Sequence, residues 1–328
     1  MMGTRALLRF VQPLLMMALC GWITVPAWAQ ETYPSRLVKF VNNFPPGGPS
    51  DILARSVAQV LQEQHKQVFV VENKAGAGGN IGADAVAKSV ADGYTVLFCI
   101  DTSLTVNPHI FGKAMPFKPG ELKPVVIMAS SGLMLGMHPA TGIRSLKDFV
   151  ATGKAKGLNL SSGGSGSPGH LAAQVFSDAA HLKITHIPYK GNTPAVMAVV
   201  AGEVDGGVLA TPGMLPQVQA GKITPLAVTS AQRSRLAPDL PTMAELGLPE
   251  LQQEVLYLVM VPSATPEAVV QVLQASIVEA LKRPEVQVRM RLLDLNFEGQ
   301  TGAIAAKRLA DLSTRYARVV QATGMKVE

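Results

Sequence analysis

Short apolar runs alternate with segments of helical periodicity along this chain. Three runs, LVKFV (37–41), VFVV (68–71) and YTVLF (94–98), are nearly continuous in apolar character. That is the look of parallel strands covered on both faces, rather than of strands with one wet side. Between the first two, Leu53, Val57, Val60 and Leu61 fall at i, i+4, i+7 and i+8, one face of a helix. A second helix is predicted from Ile81 to Lys88. The order β-α-β-α-β implies an α/β sheet with right-handed crossovers. The pattern then recurs, with strands predicted at 158–160, 184–187, 207–209 and 225–228.

Four helix starts pair a hydroxyl N-cap with a following proline: Ser167-Pro168, Thr193-Pro194, Thr211-Pro212 and Thr265-Pro266. Two long apolar runs, Val125 to Met137 and Val255 to Val261, separate the first α/β unit from the second and the second from the tail. The tail reads as two or three amphipathic helices, with Val269, Leu273, Ile277 and Leu281 on one face. The chain is therefore expected to leave one domain, cross to a second and cross back. Two crossings make a hinge, with a cleft between the domains. Ligands of such sheets bind beyond the carboxyl ends of the strands.

The first residues change the setting. Arg5 and Arg9 precede an apolar stretch from Phe10 to about Val25, and Ala27-Trp28-Ala29 has the small-x-small cleavage pattern. The stretch is short and interrupted by Pro13, so it reads as a cleavable secretion signal over 1–29 rather than an anchor. Cys20 would suit a lipoprotein, but bulky Leu19 precedes it. Removing Arg5 and Arg9 leaves 27 basic against 23 acidic residues, +4 instead of +6. So mild an excess is no nucleic-acid signature. Both Trp residues go with the signal, and Cys99 remains alone, which excludes an intrachain disulfide. About 300 residues favour two domains.

Five loops follow predicted strands. In NNFPPGGPSD (42–51), Pro45 and Pro46 stiffen the backbone while Gly47 and Gly48 let it turn and let another group approach. This is either an N–H nest for a carboxylate or a tight turn capped by Ser50 or Asp51. NKAGAGGNIG (73–82) lacks the Lys-Ser/Thr of a P-loop, and is either a second nest or a flexible connection. After the third strand, Asp101, Thr102 and Ser103 either face the cleft or cap a helix. In PYKGNTP (188–194), Tyr189 and Lys190 offer an aromatic wall and a cation, or lie solvated on the surface.

The remaining loop, SSGGSGSPGH (161–170), spells G-x-G-x-x-G. Export, the missing acidic residue at the end of the next strand, and Pro168 where a diphosphate would want an N–H exclude a dinucleotide. The six histidines show no H-E-x-x-H or other ligand spacing, and there is no G-x-S-x-G elbow. The loops thus point to binding without catalytic residues, metal or cofactor.

Several segments occur together and in order: FPPGG (44–48) with DILAR (51–55), VENKAGAGGNIGA (71–83), DGYT (92–95), GSPGHL (166–171), PYKG (188–191) with Pro194-Ala195, GEVD (202–205), and AGK (220–222) with LAVTS (226–230). From Tyr33 to its end the chain resembles the tripartite tricarboxylate transporter substrate-binding proteins, the Bug or TctC-like receptors. The resemblance implies an α/β periplasmic binding protein of type II, a Venus flytrap. Its first, discontinuous domain would span 30–130 and 256–328, and its second 131–255. It implies a periplasmic monomer that delivers a small organic solute, usually a carboxylate, to membrane permease subunits, with no nucleic-acid partner. Some relatives serve a sensor kinase instead, and a periplasmic enzyme on the same scaffold is the other alternative.

The ligand-binding residues so implied are Phe44, Pro46, Gly47, Gly48, Ser50 and Asp51 on one loop and Ser162, Gly163, Gly164, Ser165, Gly166, Ser167 and His170 on the facing one. Gly78, Gly79, Asn80, Asp101, Thr102, Ser103, Tyr189, Lys190 and Gly191 would complete the pocket. The chain departs from the family at Asn42-Asn43, at Asp101-Thr102 and at Leu256-Tyr257-Leu258. If Asp101 faces the ligand, it disfavours di- and tricarboxylates and favours an amine, amide or zwitterion. If it caps the next helix, it does not.

Overall fold

The computed structural model describes residues 33–326. The secretion signal expected over 1–29 lies outside them. In chain order the elements are β1 Val38–Asn42, α1 Pro49–His65, β2 Phe69–Asn73, α2 Asn80–Ala87, β3 Thr95–Ile100, α3 Thr102–Thr105, α4 Asn107–Phe111, β4 Leu122–Ser131, β5 Leu133–Met137, α5 Leu146–Ala155 and β6 Leu158–Ser162. There follow α6 Pro168–Ala179, β7 Ile184–Pro188, α7 Asn192–Ala201, β8 Gly206–Ala210, α8 Thr211–Gln219, β9 Thr224–Val228, β10 Val255–Pro262, α9 Glu267–Lys282, α10 Pro284–Leu292, β11 Asn296–Thr301 and α11 Gly302–Thr323.

Two mixed sheets form, in the orders β11-β4-β10-β3-β1-β2 and β7-β6-β8-β5-β9. β1, β2 and β3 are parallel, as are β6, β7 and β8. In each sheet the strand that has just crossed from the other sheet, β10 or β5, pairs antiparallel beside the third parallel strand. Both sheets thus share one order, second-first-third-crossing-fourth, with β11 added at the edge of the first.

The continuous apolar character of the strands follows from this layering. Phe40, Val96 and Phe98 pack with Leu53 and Val57 of α1 and with Val270 and Leu273 of α9. Their neighbours Val41, Leu97 and Cys99 face the other way, onto Ala83 and Val86 of α2 and Ala305 and Leu309 of α11. In the second sheet Leu135 and Leu160 pack with α5 and α6 residues such as Phe149 and Phe176, while Met134 and Leu209 meet Val196, Val199 and Met214 of α7 and α8. The inner strands are covered on both faces, so alternation disappears from their sequence, while edge strands β2, β7 and β11 are partly exposed. The expectation of full cover fails for 68–71, where Val68 and Val70 face solvent because β2 has a neighbour on one side only. Burial pushes the Cys99 thiol far above its usual range, and the nearby Asp101 charge adds to this. Cys99 is a core residue.

The crossings are Gly132, between β4 and β5, and the approach to β10 from Gln253. One hydroxyl ties them together. Thr229 Oγ1 accepts from the Leu133 N–H at 2.9 Å and donates to the Gln253 carbonyl at 2.8 Å. The Gln253 side chain then donates to the Pro168 carbonyl, reaching the first turn of α6. Arg308 of α11 joins Glu254 of the second crossing to Glu298 of β11.

The structure corrects some expectations. Strand β11 interrupts the tail, which had read as helices only. Its sequence, NFEGQT, is polar, and it pairs with β4 through a break in register between Phe297 and Gln300. Of the four hydroxyl caps, only Ser167 accepts a first-turn N–H, from His170 at 3.3 Å. Helix α7 begins at Asn192 with Gly191 before it, α8 begins at Thr211 itself, and α9 follows Pro266, so Thr193, Thr211 and Thr265 do not cap.

Candidate functional site

The carboxyl ends of β1, β3, β6, β7 and β8 and the starts of β5 and β10 surround a cavity of about 400 Å³. This is within the range of small-molecule sites. One wall is Phe44 to Ser50, with Ile100, Val255 and Tyr257, all from the first sheet's side. The other is Gly163, Ser167 to Gly169, Lys190 to Pro194 and Val208 to Ala210, with Leu133, from the second sheet's side.

Four helices begin at this cavity. The residues preceding α1, α6, α7 and α8, namely Gly48, Ser167, Gly191 and Ala210, all line it. The first N–H groups of a helix have no intrahelical acceptor, and the macrodipole places partial positive charge there. Lys190 is the single charged side chain on the lining among the described residues, and it is exposed. Four helix ends, of which that of α1 already carries Asp51 in its first turn, and one ammonium, with no carboxylate on the lining itself, make a site for an anion.

Local chemistry holds the two glycine loops. Asp51 Oδ2 accepts from the Gly47 N–H at 2.9 Å, while Oδ1 meets Asn73 Nδ2 and Arg55. Burial alone would raise the Asp51 pKa, but the Gly47, Arg55 and Asn73 hydrogen bonds bring it below the usual carboxylate value. Asn42 Nδ2 donates to the Phe44 carbonyl. Gly47 itself has φ +79, a conformation that favours glycine. Opposite, Gly169 lets α6 pack against β8: a Cβ there would lie 2.4 Å from the Val208 carbonyl oxygen.

Beneath the second loop lie two stacked imidazoles. The His170 and His186 rings are 3.8 Å apart and 6° from parallel. His170 Nδ1 accepts from the Gly166 N–H, and His186 Nε2 meets Ser162 Oγ at 2.5 Å. Burial, and secondarily its neighbour, holds the His170 pKa down to about 3, and burial holds that of His186 down to about 4. Ser162 is fully buried and its hydroxyl also bonds Gly164 and Ser167. This Ser-His pair fixes the loop from below and does not reach the cavity lining.

Of the residues expected from sequence, Phe44, Pro46, Gly47, Gly48, Ser50, Gly163, Ser167, Lys190 and Gly191 come together on the cavity. The others stand elsewhere. Asp51, Ser162 and His170 brace the loops as described, and Gly164 and Gly166 shape the turn, with φ +123 and +77. Gly78, Gly79, Asn80 and Ser103 form a separate buried network with Asn43 and Asn107. That network touches the second loop at the cleft's side: a Cβ on Gly78 would lie 3.0 Å from the Ser165 carbonyl oxygen, and one on Gly166 2.5 Å from Asn107 Oδ1. Thr102 is buried in α3. Tyr189 turns away and its hydroxyl donates to Glu203 at 3.2 Å.

Asp101 neither faces the cavity nor caps α3 through its side chain. It is 1% exposed, with Oδ1 accepting from the Leu256 N–H at 2.9 Å and Oδ2 from Thr105 Oγ1 at 3.3 Å. It clips β10 to the end of β3. Turned away from the cavity, it presents no carboxylate to a ligand and cannot select an amine or zwitterion as expected.

Sequence reasoning missed the cavity's floor, formed by Ile100, Leu133, Val208, Leu209, Val255 and Tyr257, together with Asn192 to Pro194 beyond the expected Lys190 and Gly191, and the start of α8. Buried apolar floor residues read like any other core positions. The Thr-Pro helix starts were the available signal for α7 and α8. Among the described residues no group of three His, Cys, Asp or Glu could hold a metal, and no helix is long and apolar enough to cross a membrane.

Comparison with known proteins bears on the family and the fold. Residues 53–325 match the model of the tripartite tricarboxylate transporter family receptor, TctC. Protein BugT of Bordetella pertussis is 35% identical over 91% of this chain and 92% of its own. Two solved structures superpose closely. R. palustris Rpa4515 with adipate has a TM-score of 0.82 at 29% identity, covering 90% of this chain and all of that one. MatC from Rhodopseudomonas palustris with bound malate has a TM-score of 0.79 at 26% identity, covering 88% and all. With its two mixed sheets of matching strand order, the fold is that of the type II periplasmic binding proteins. The chain belongs to the tripartite tricarboxylate transporter receptor family.

Proposed function

We propose that this protein is a periplasmic receptor that captures a small organic carboxylate between two domains and delivers it to a tripartite tricarboxylate-type membrane transporter. Residues 30–130 with 256–328 would form one domain and 131–255 the other. The observation that carries the reading is the convergence of four helix N-termini and Lys190 on one cavity without any acidic side chain. Each terminus contributes roughly 0.3–1 kcal/mol toward an anion, so the set supplies about 1–4 kcal/mol beyond packing. That similar proteins were solved with adipate and with malate supports a carboxylate.

Delivery follows from closure. A solute held by both walls binds the closed form more tightly and so populates it, and a permease distinguishes closed from open. The loops already approach on two sides of the cavity, Pro45 beside Gly191 and Gly78 beside Ser165. The test is a thermal-shift and calorimetric screen of carboxylates, with the ligand recovered afterwards. The reading predicts saturable binding of a carboxylate that returns chemically unchanged. Binding of uncharged compounds alone, or consumption of the ligand, contradicts it.

A further inference from the structure

Resting on that reading, we propose that the preferred ligand is a monocarboxylate with an apolar aliphatic or aromatic body, not a dicarboxylate, tricarboxylate or amino acid.

The cavity has two chemically different ends. Its rim, the loops beyond the strand ends, carries Lys190 and the starts of α1, α6, α7 and α8, with the Gly47, Ser167 and Gly191 N–H groups already bonded to Asp51, Gly164 and Gly163. Its floor consists of Ile100, Leu133, Val208, Leu209, Val255 and Tyr257, each no more than 6% exposed. The one floor hydroxyl, that of Tyr257, is already paired with Ser131 Oγ at 3.3 Å. The floor therefore offers apolar surface and an aromatic ring, with no free side-chain donor for a second carboxylate. A carboxylate pressed into such surroundings without hydrogen bonds loses its hydration uncompensated. A CH₂ or aryl group placed there instead gains burial.

Nor is there a place for an ammonium group. Lining side chains include no Asp and no Glu. Of the acids adjacent to the lining in sequence, Asp51 is held by the Gly47 N–H, Asn73 and Arg55, Asp101 is turned into the contact between β3 and β10, and Glu254 is paired with Arg308. An α-amino group would sit beside the helix ends and Lys190, and an ω-amino group against the apolar floor, in either case without a counter-charge on the lining, which rejects zwitterions. Glu203, which meets Tyr189, is not on the lining either.

The experiment is calorimetry on the mature wild-type protein with matched ligands. One set is hexanoate, adipate and 6-aminohexanoate. The other is benzoate, terephthalate and 4-(aminomethyl)benzoate. Hexanamide and benzamide serve as uncharged controls. The monocarboxylate of at least one set should bind at least about ten-fold tighter than its dicarboxylate and amino partners. Lys190→Gln should weaken that monocarboxylate about ten-fold while leaving the melting temperature of the unliganded protein unchanged. A dicarboxylate or amino partner binding as tightly as, or more tightly than, the monocarboxylate in both sets overturns the inference but leaves a carboxylate receptor standing. Failure of both monocarboxylates to bind below about 1 mM overturns it as well. Amides binding as tightly as their acids would overturn the underlying receptor reading itself.

Discussion

Replacing Asp101 by Asn should stabilise the protein at neutral pH. The carboxyl group is fully buried, and burial pushes its pKa up from 3.8 to about 6, against the opposing pull of the Leu256 and Thr105 hydrogen bonds. Each unit is worth about 1.4 kcal/mol. A carboxyl harder to ionise in the folded state than in the unfolded one is favourable below about pH 3.8, where both states keep the proton. That advantage is lost as pH rises through about 6, leaving an ionisation cost of about 3 kcal/mol near pH 7.5. Asparagine never ionises. Its Oδ1 can keep the Leu256 N–H, and its Nδ2 can donate to Thr105 Oγ1, whose own proton goes to the residue 101 carbonyl. One amide hydrogen is left without a partner, at about 1 kcal/mol or somewhat more. The net expectation is about 1–2 kcal/mol of stabilisation at pH 7.5, fading at pH 4, with affinity for a carboxylate ligand unchanged because residue 101 is off the cavity. Urea unfolding of both proteins at the two pH values measures this. A variant destabilised by more than about 1 kcal/mol at pH 7.5, or an offset that does not narrow on acidification, would refute the reasoning.

Thr229→Val leaves the Leu133 N–H and the Gln253 carbonyl unpaired where the chain crosses between the sheets, and should cost about 2–5 kcal/mol in urea unfolding, with Thr229→Ser largely restoring it; a loss under about 1 kcal/mol removes this clip from the account. The His170 and His186 pKa values, about 3 and about 4 against an ordinary 6.5, mean stability present above about pH 6.5 and lost as pH falls toward those values. By pH 4 the loss should be on the order of 3 kcal/mol or more. Replacing both residues by Gln should flatten the acid limb of the stability profile, and an unchanged slope would show that the pair does not titrate as described. Gly169→Ala drives a Cβ to 2.4 Å from the Val208 carbonyl oxygen, so α6 must lift from β8. Carboxylate affinity should then fall about ten-fold or more in a protein that still folds, and an unchanged dissociation constant argues against the close approach.

The sequence made most of the fold legible because the inner strands of both sheets are buried on two faces and announce themselves as apolar runs. Strand β11 was not legible. NFEGQT has neither alternation nor an apolar run, and it is a strand only because β4 offers an open edge and Arg308 binds Glu298 and Gln300. The two glycine loops that line the cavity were legible too, since Gly and Pro in a strand-helix turn have few other uses. Their supports were half legible. Asn42 and Asn43 stood out as departures from the family pattern, but only coordinates show Asn42 holding the Phe44 carbonyl and Asn43 tying the 78–80 loop to Ser103. Asp101 was misplaced for a plain reason: a polar residue after a strand can turn outward to the cleft or inward to a neighbouring backbone. The unpaired Leu256 N–H that draws it inward is 155 positions away in the chain.

The central claim is that this cavity binds a carboxylate through helix N-termini and Lys190. Calorimetric titration of the tightest-binding carboxylate against its own primary amide, at low ionic strength, tests it most directly. The two ligands share size and shape and differ in charge. The account predicts an amide weaker by about 2–3 kcal/mol, roughly 30- to 150-fold. Equal affinities would contradict it.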